Sequence, residues 1–425
     1  MNPEKVNPNF DVEYWDISEP QPYENNPRVI SDEAVEKVAA SIDQFGWRQP
    51  IVVDTDGVIV IGHTRLKAAH SLGLKQVPVH VAKNLSADQI KALRLADNRT
   101  GEFSQWDEDK LARELAELEA ATDLDFDLDV IGWDEDEIGD LIAGDASDED
   151  LDQANAEVAP PENPVAREGD LWILGDHRLA CGDSTDKRHV ERLLDGVKPH
   201  LMVTDPPYGV EYDAEWRLRA GLNDVTAAHG KVLNDDRVDW REAWELFPGD
   251  VAYVWHAGLF AQVVAESLQS CDFQLRSQII WAKTRFALSR GHYHWQHEPC
   301  WYAVKKGAKG HWHGDRAQAT LWEIEHIKSE TGHSTQKPID AMRIPILNNS
   351  KRGDAVYEPF CGSGTTLISC ELEGRKCYAS ELNPPYIDVI INRWQEMTGQ
   401  QAVLDGDGRT YQKLTDERLN EKEAA

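Results

Sequence analysis

The sequence predicts an α/β protein in two domains, and three observations predict it. A short apolar run, Leu201-Met202-Val203-Thr204, stops at Asp205-Pro206-Pro207-Tyr208. A second run, Asp354 to Glu358, passes through Pro359-Phe360-Cys361-Gly362-Ser363-Gly364 into Thr365-Thr366, which reads as strand, glycine turn and helix. Ahead of both, residues 31–95 alternate helical and extended patterns on a smaller scale. Short buried strands separated by helical segments give a sheet covered by helices.

Two successive prolines fix φ, remove two N–H donors and hold the preceding residue extended. Asp205-Pro206-Pro207 is therefore a stiff corner at a strand's C-terminal end, where open α/β sheets place their ligands. The Asp205 carboxylate and the Pro206 carbonyl are two acceptors, and the Tyr208 ring is a flat face. Together they suit a planar ring bearing an exocyclic NH2, an adenine or a cytosine. In the second run Gly362 and Gly364 let a ligand approach the backbone at a helix N-terminus. Gly-Lys-Ser/Thr, the end of a phosphate loop, is missing. A dinucleotide fold wants a third glycine where Leu367 stands. The next strand, Arg375 to Ser380, ends in Glu381, 17 residues after Gly364, and an acid there suits ribose hydroxyls. The pocket fits a nucleoside without a pyrophosphate, and S-adenosyl-L-methionine meets that description.

Composition bounds the rest. A chain of 425 residues is long enough for two or three domains. No run of 18 apolar residues exists, and the N-terminus lacks the apolar stretch of a secretory signal, so no membrane partner is expected. The six cysteines form no Cys-x-x-Cys pair, which fits a reducing cytoplasm and indicates neither a zinc ribbon nor disulfides. The net charge of −32 is unexpected for a DNA binder. Residues 101–165, however, hold 23 Asp/Glu against Lys110 and Arg113, a net of −21, leaving −11 for the other 360 residues.

In the N-terminal domain, Ser31 caps a helix ended by Gly46. Residues 51–53 and 58–61 bracket the turn Asp56-Gly57. Gly62-His63-Thr64-Arg65 opens a second helix, Val77–Val81 reads as a strand and 86–95 as a helix. Residues 105–143 carry two helical patterns. Residues 144–165, acidic with three prolines, read as a flexible linker. The predicted boundaries are 1–104, a helical extension 105–143, the linker 144–165, a main domain 166–410 and a charged tail 411–425. Within the main domain, 170–175, 178–183, 251–255 and 278–281 read as strands, 259–268 as a helix and 211–240 as a mobile loop over the site. The histidine-rich segments 290–298 and 311–313 suit stacking around a base better than a metal site, since no acid or cysteine sits at ligand spacing. Lys305, Lys306, Lys309 and Arg316 suit phosphate contacts.

Two resemblances add to this reading. Residues 14–105 resemble the N-terminal domain of the ParB/sulfiredoxin-like superfamily, through Gly62-His63-Thr64-Arg65-Leu66-Lys67-Ala68-Ala69 and Asp97-Asn98-Arg99. The likeness implies a small α+β domain with nucleotide or DNA near Gly62, His63, Arg65, Asn98 and Arg99. His63-Thr64 departs from the acidic/basic pair of chromosome-segregation members, which counts against CTP binding. No segregation-type helix-turn-helix is evident. Residues 167–410 resemble the DNA amino-methyltransferases with circularly permuted motif order, the beta class, through Asp-Pro-Pro-Tyr, Phe360-x-Gly362-x-Gly364 and His333-Ser334-Thr335-Gln336-Lys337-Pro338. The likeness implies a Rossmann-like domain using S-adenosyl-L-methionine on double-stranded DNA, in a restriction-modification setting. Asp205, Pro206, Pro207 and Tyr208 would be catalytic. Phe360, Gly362, Gly364, Thr365 and Glu381 would bind the cofactor, with Asp183 near its adenine and Thr335 and Lys337 near its methionine end. Asp at the first motif position favours adenine N6; cytosine N4 is the alternative. A recognition region of about 300–333 is short, so one subunit reads few base pairs or a homodimer shares the work. A rival of another class is a ParB-like nucleotide-dependent DNA binder whose C-terminal module only binds. A third is a protein-glutamine methyltransferase, whose motif begins with Asn.

Overall fold

The computed structural model describes residues 11–209, 234–287, 292–325 and 336–423, apart from Asn84, Glu102, Ser104, Gln105, Thr122, Asp123, Asp125 and Asp145. The chain divides into two compact units, Met1–Gly144 and Asp145–Ala425.

The first unit runs β1 (Glu13–Asp16), α1 (Asp32–Phe45), β2 (Ile51–Val53), β3 (Ile59–Ile61), α2 (His63–Ser71), β4 (Gln76–Val81), α3 (Ala87–Gly101), α4 (Glu108–Glu119) and α5 (Glu135–Ala143). Ser31 caps α1 by accepting from the Ala34 N–H, and Gly46 closes it at φ 72°. The four strands lie in the order β1-β4-β2-β3, with β2 and β4 parallel. Ile51, Val53, Ile59, Leu66, Val77 and Val79 form their core. The turn between β2 and β3 is held by Asp54, which accepts from the Asp56 and Val58 N–H groups at 3.0 and 2.9 Å. Arg94, 9% exposed on α3, ties this turn down through Asp54 at 3.1 Å and the Ile59 carbonyl at 3.0 Å.

The second unit begins with α6 (Asp148–Asn155), followed by β5 (Leu171–Leu174), β6 (His177–Cys181), α7 (Lys187–Leu194), β7 (Leu201–Thr204), α8 (Arg241–Leu246), β8 (Val251–Trp255) and α9 (Ala261–Ser270). Then come β9 (Phe273–Ala287), β10 (Trp295–Lys305), β11 (Leu321–Trp322), α10 (Ile339–Asn349), β12 (Ala355–Glu358), α11 (Thr365–Leu372), β13 (Lys376–Glu381), α12 (Pro384–Thr398), β14 (Val403–Leu404) and α13 (Tyr411–Glu423). Among the described residues the sheet has ten strands, ordered β11-β9-β10-β8-β7-β12-β13-β6-β5-β14. The five central strands, β8-β7-β12-β13-β6, are parallel. Side chains alternate between two cores, as a strand buried on both faces requires. Leu201 and Val203 meet Ile346, Leu367 and Ile390 on one side, and Met202 meets Leu193, Trp244 and Leu268 on the other. The strand after β7 lies on one side of it and β12 on the other, so the sheet's switch point is the crevice between β7 and β12.

Three expectations change. The strand read at 278–281 is the middle of a 15-residue strand, Phe273–Ala287, whose flanking stretches carry Arg276, Lys283 and Arg285. The stretch read as a flexible linker holds α6, closed by a capping box between Ser147 and Asp150. Asn155 Oδ1 accepts the Ile339 N–H at 2.9 Å and its carbonyl accepts Gln336 Nε2 at 3.1 Å. The buried Arg393 donates to the Ala154 carbonyl at 2.6 Å. The stretch read as a charged tail is α13, with Tyr411 and Leu414 buried and Arg418 paired to Asp170. These charge-rich segments fold here because a few apolar residues, Leu151 and Ala154 in α6 and Tyr411 and Leu414 in α13, join the core beside the buried polar contacts.

Asn155→Ala strips the acceptor from the buried first turn of α10. We expect a loss of about 1–2 kcal/mol in urea unfolding of the second unit; unchanged stability would show that α6 is not docked there.

Candidate active site

β7 delivers Asp205 to the switch point. The carboxylate accepts from the Tyr208 hydroxyl on Oδ1 and from Lys337 Nζ on Oδ2 at 2.7 Å. Lys337, 7% exposed, also donates to the Tyr208 oxygen at 2.8 Å and to Glu298 Oε2 at 2.8 Å. A lysine ammonium has three donors, and all three are used. Glu298 Oε1 in turn takes Lys283 Nζ. Burial opposes the Glu298 charge, yet Lys337 and Lys283 hold its carboxyl down to about 2. Burial also works against the Lys337 ammonium, but Asp205 and Glu298 raise its pKa. Burial pushes Asp205 up and Glu298 adds to it, while Lys337 and Tyr208 pull it back. With an ammonium at 2.7 Å the ion pair is the form the geometry favours. Two cations thus balance two anions around the corner.

The glycine turn faces this corner across the crevice. Gly364 sits at φ 91°, where a Cβ would come within 2.9 Å of Ile390, so the start of α11 can close on α12 only with glycine. Glu381, ending β13, accepts the Gly362 and Asn383 N–H groups at 2.8 Å each. Burial raises its pKa to about 7 against those hydrogen bonds. Thr365 is buried and directs its hydroxyl to the Lys337 carbonyl at 3.4 Å. Asp183, after β6, accepts from the Thr185 N–H and hydroxyl at 2.8 Å each. All of these except Gly364, with Asp205 and Tyr208, line one pocket of about 310 Å³, which is within the range of small-molecule sites. Among the described residues no three His, Cys, Asp or Glu side chains converge to hold a metal ion.

The structure brings together all the predicted residues of this site that it describes; Thr335 lies outside the described residues. Two placements differ from expectation. Tyr208 turns its hydroxyl inward to Asp205, with its ring half-buried against the core. Lys337, expected near the methionine end of the cofactor, lines the pocket with its ammonium committed to Asp205 and Glu298. The histidine-rich segments separate. Glu298 lines the pocket, whereas His311 packs with its ring tilted at 4.5 Å from that of His200, the residue before β7 and so at the far end of that strand. Lys305 is also drawn to that end, with its ammonium on the Phe247 carbonyl at 3.2 Å and over the Phe247 and Phe273 rings. Of the loop 211–240, only 234–240 is described, and Asn234 and Asp235 line the pocket.

Sequence reasoning missed Glu298, Lys283, Glu358 and Trp240. Charged residues inside apolar strands are the signal for the first two. Glu358 is 1% exposed and accepts from the Thr204 hydroxyl, the Phe360 N–H at 2.9 Å and the Thr366 hydroxyl at 2.7 Å. Burial raises its pKa to about 8 despite those donors. Trp240 donates to the Pro207 carbonyl at 3.1 Å and packs on Phe360 at 4.7 Å, joining the two motifs.

In the first unit Gly62 is left-handed, at φ 104°, and starts α2. His63 Nε2 accepts the Tyr23 N–H at 3.2 Å, and burial, with Arg94 and Lys67 nearby, lowers its pKa. Arg65 donates to the Pro50 carbonyl at 3.3 Å and to Gln49. Asn98 is bonded within its own helix to the Arg94 carbonyl at 2.8 Å, and Arg99 lies 4.6 Å over the Phe103 ring.

Comparison with known proteins follows the same division. Residues 199–393 match a family described as DNA methylase, residues 3–99 a ParB N-terminal domain and residues 109–168 a ParB-methyltransferase HTH domain. The last spans the segments read as a helical extension, 105–143, and a linker, 144–165. The type II methyltransferase M.Cfr9I of Citrobacter freundii is 32% identical over 149 residues, which cover 31% of this chain and 48% of that protein. M.HinfI of Haemophilus influenzae is 30% identical over 227 residues, 46% of this chain and 63% of that protein. The chain thus spans about half to two thirds of the length of these two relatives. The ParB-like nuclease domain-containing protein YnaK of Escherichia coli (strain K12) is 40% identical over 78 residues, 18% of this chain and 90% of that protein. A crystal structure of the M1.HpyAVI–SAM complex is 24% identical, covering 51% of this chain and 98% of that chain at a TM-score of 0.37.

Glu358 has a pH signature. Its folded pKa lies above its unfolded one, so its contribution to stability is fully present below about pH 4.5 and is lost as pH rises through about 8. Glu358→Gln is expected to flatten the fall in melting temperature between those limits. An equal fall in both proteins would mean that Glu358 is ionised in the folded state.

Proposed function

We propose, from a chain that belongs to the N6/N4 family of DNA methylases and carries a ParB N-terminal domain, that it methylates the exocyclic amine of a base in double-stranded DNA, with adenine N6 as the preferred acceptor. The observation that carries the proposal is the pairing across one crevice of the Asp205-Pro206-Pro207-Tyr208 corner with the Gly362/Glu381 turn. S-adenosyl-L-methionine is the methyl donor that the turn suits. The Gly362 N–H is held by the buried Glu381 carboxylate at the end of the adjoining strand, Gly362 leaves its side of the pocket free of a side chain, and Gly364 lets α11 close on α12 behind it. When bound, that cofactor supplies an electrophilic methyl on a sulfonium.

The chain's own groups do the rest. A ring-conjugated amino group is a weak nucleophile, and Asp205 with the Pro206 carbonyl holds both of its hydrogens so that the nitrogen lone pair faces across the crevice. Asp205 is the acceptor for the proton that the methylated nitrogen must lose. Orientation and fixed charge supply the rate. Burial pushes the Cys300 and Cys361 thiols up, so neither serves as a nucleophile. The base must leave the duplex, at a cost of a few kcal/mol. Asp at position 205 supports a base amine over a protein glutamine, and adenine over cytosine. The ParB-type unit is read as a DNA-docking module. Its nucleotide reading goes less far, because Arg65 spends two donors on Pro50 and Gln49.

Asp205→Ala is expected to cut methyl transfer to unmethylated DNA by roughly 10²-fold or more while calorimetric binding of S-adenosyl-L-methionine persists. Undiminished transfer would overturn the assignment.

A further inference from the structure

The four charges at the corner do more than fill space. Lys337 stands between two carboxylates at nearly equal distance, 2.7 Å to Asp205 Oδ2 and 2.8 Å to Glu298 Oε2. Glu298 is itself divided, with its second oxygen on Lys283. Lys283 lies on β9 and Glu298 on β10, paired antiparallel neighbours, so this half of the cluster is built on rigid strands outside both sequence motifs. Asp205 needs a free lone pair for an incoming amine, yet Tyr208 and Lys337 already occupy one position on each oxygen. A lysine bound to Asp205 alone would hold it too firmly. With Glu298 beside it, the ammonium can lean from one carboxylate to the other without being left unpaired in the interior, where a lone charge is costly.

We propose that Glu298 and Lys283 are positioning residues that set how tightly Lys337 holds Asp205, Glu298 drawing the ammonium away from it and Lys283 limiting that pull. The role in transfer rests on the methylase reading; the electrostatic role does not. During transfer the amine nitrogen forms its bond to the methyl carbon as the sulfonium C–S bond breaks, and the sulfur keeps that electron pair. The nitrogen, now cationic, gives one proton to the Asp205 carboxylate, which passes it to water. Lys337 leans to Glu298 while Asp205 is engaged and returns when it is free. The ionisable groups facing Asp205 are Lys337, Glu298, Tyr208 and Cys300, with Lys283 behind Glu298 and Glu358 beneath the turn.

The test is the titration midpoint of Asp205 in the full free chain, followed by carboxyl-carbon NMR, alongside the acid limb of the methyl-transfer rate. Glu298→Gln removes a like charge and leaves Lys337 undivided, so both midpoints move to lower pH. Lys283→Gln leaves Glu298 unshared, and both move to higher pH. Each shift is expected to be about one pH unit, a tenfold change in the charged fraction. The double variant E298Q/K283Q, which restores charge balance, returns close to wild type and provides a reading should one single variant fold poorly. Identical midpoints in all four proteins, or shifts of the same sign in both single variants, overturn the proposal. NMR shifts of opposite sign without methyl transfer by the wild type would uphold the electrostatic role and sink the methylase reading instead.

Discussion

Glu358 is the contact on which the site's geometry depends. Asp205 and the glycine turn belong to strands more than 150 residues apart in sequence. The backbone ladder between β7 and β12 sets the strands in register, and a buried side chain carries that register into the loops beyond them. Its carboxyl takes the hydroxyl of Thr204, the residue before Asp205, and the N–H of Phe360 and the hydroxyl of Thr366, on either side of the glycines. The group is almost wholly out of water, where a half-satisfied polar group costs more than it returns. All three donors must therefore be in place together, and the corner and the turn are fixed as one object. Trp240 adds a second tie from the opposite side of the corner, through the Pro207 carbonyl and the Phe360 ring.

This arrangement explains why the chemistry sits at the crevice between β7 and β12. The chain after β7 crosses to β8 on one side and the chain after β12 crosses to β13 on the other, so the two connections part above the parallel strand ends and leave room for a ligand. On one side the backbone is stiffened by two prolines and carries charge. On the other it is opened by two glycines and tied to the end of β13 by the Gly362 N–H, which Glu381 accepts. A positively charged donor and a neutral planar acceptor would meet there with little rearrangement of the protein.

Much of this was legible in the sequence, for physical reasons that also mark where legibility ends. β7 and β12 were readable because short apolar runs bounded by proline and glycine have few alternatives. Gly364 was readable because its position needs a left-handed backbone. Asp205 and Glu381 were readable because polar residues at the ends of buried strands face the ligand edge. Glu298 and Lys283 were not, because their partners lie on other strands and no local spacing records a cross-strand pair. α6 and α13 were hidden by their charge. Each is docked by a few apolar residues and by specific buried contacts, such as Arg393 to Ala154 and Arg418 to Asp170, which composition does not display. The histidine-rich segments 290–298 and 311–313 were misread as one surface, since the chain carries His311 to the opposite end of β7 from the pocket.

The most direct measurement is nucleoside mass spectrometry of unmethylated DNA incubated with the full chain and S-adenosyl-L-methionine carrying an isotopically labelled methyl group. A corner that grips an exocyclic amine predicts label on a base amino nitrogen, foremost N6 of adenine. Label on a ring carbon, or none on DNA under conditions where the cofactor binds, would contradict it.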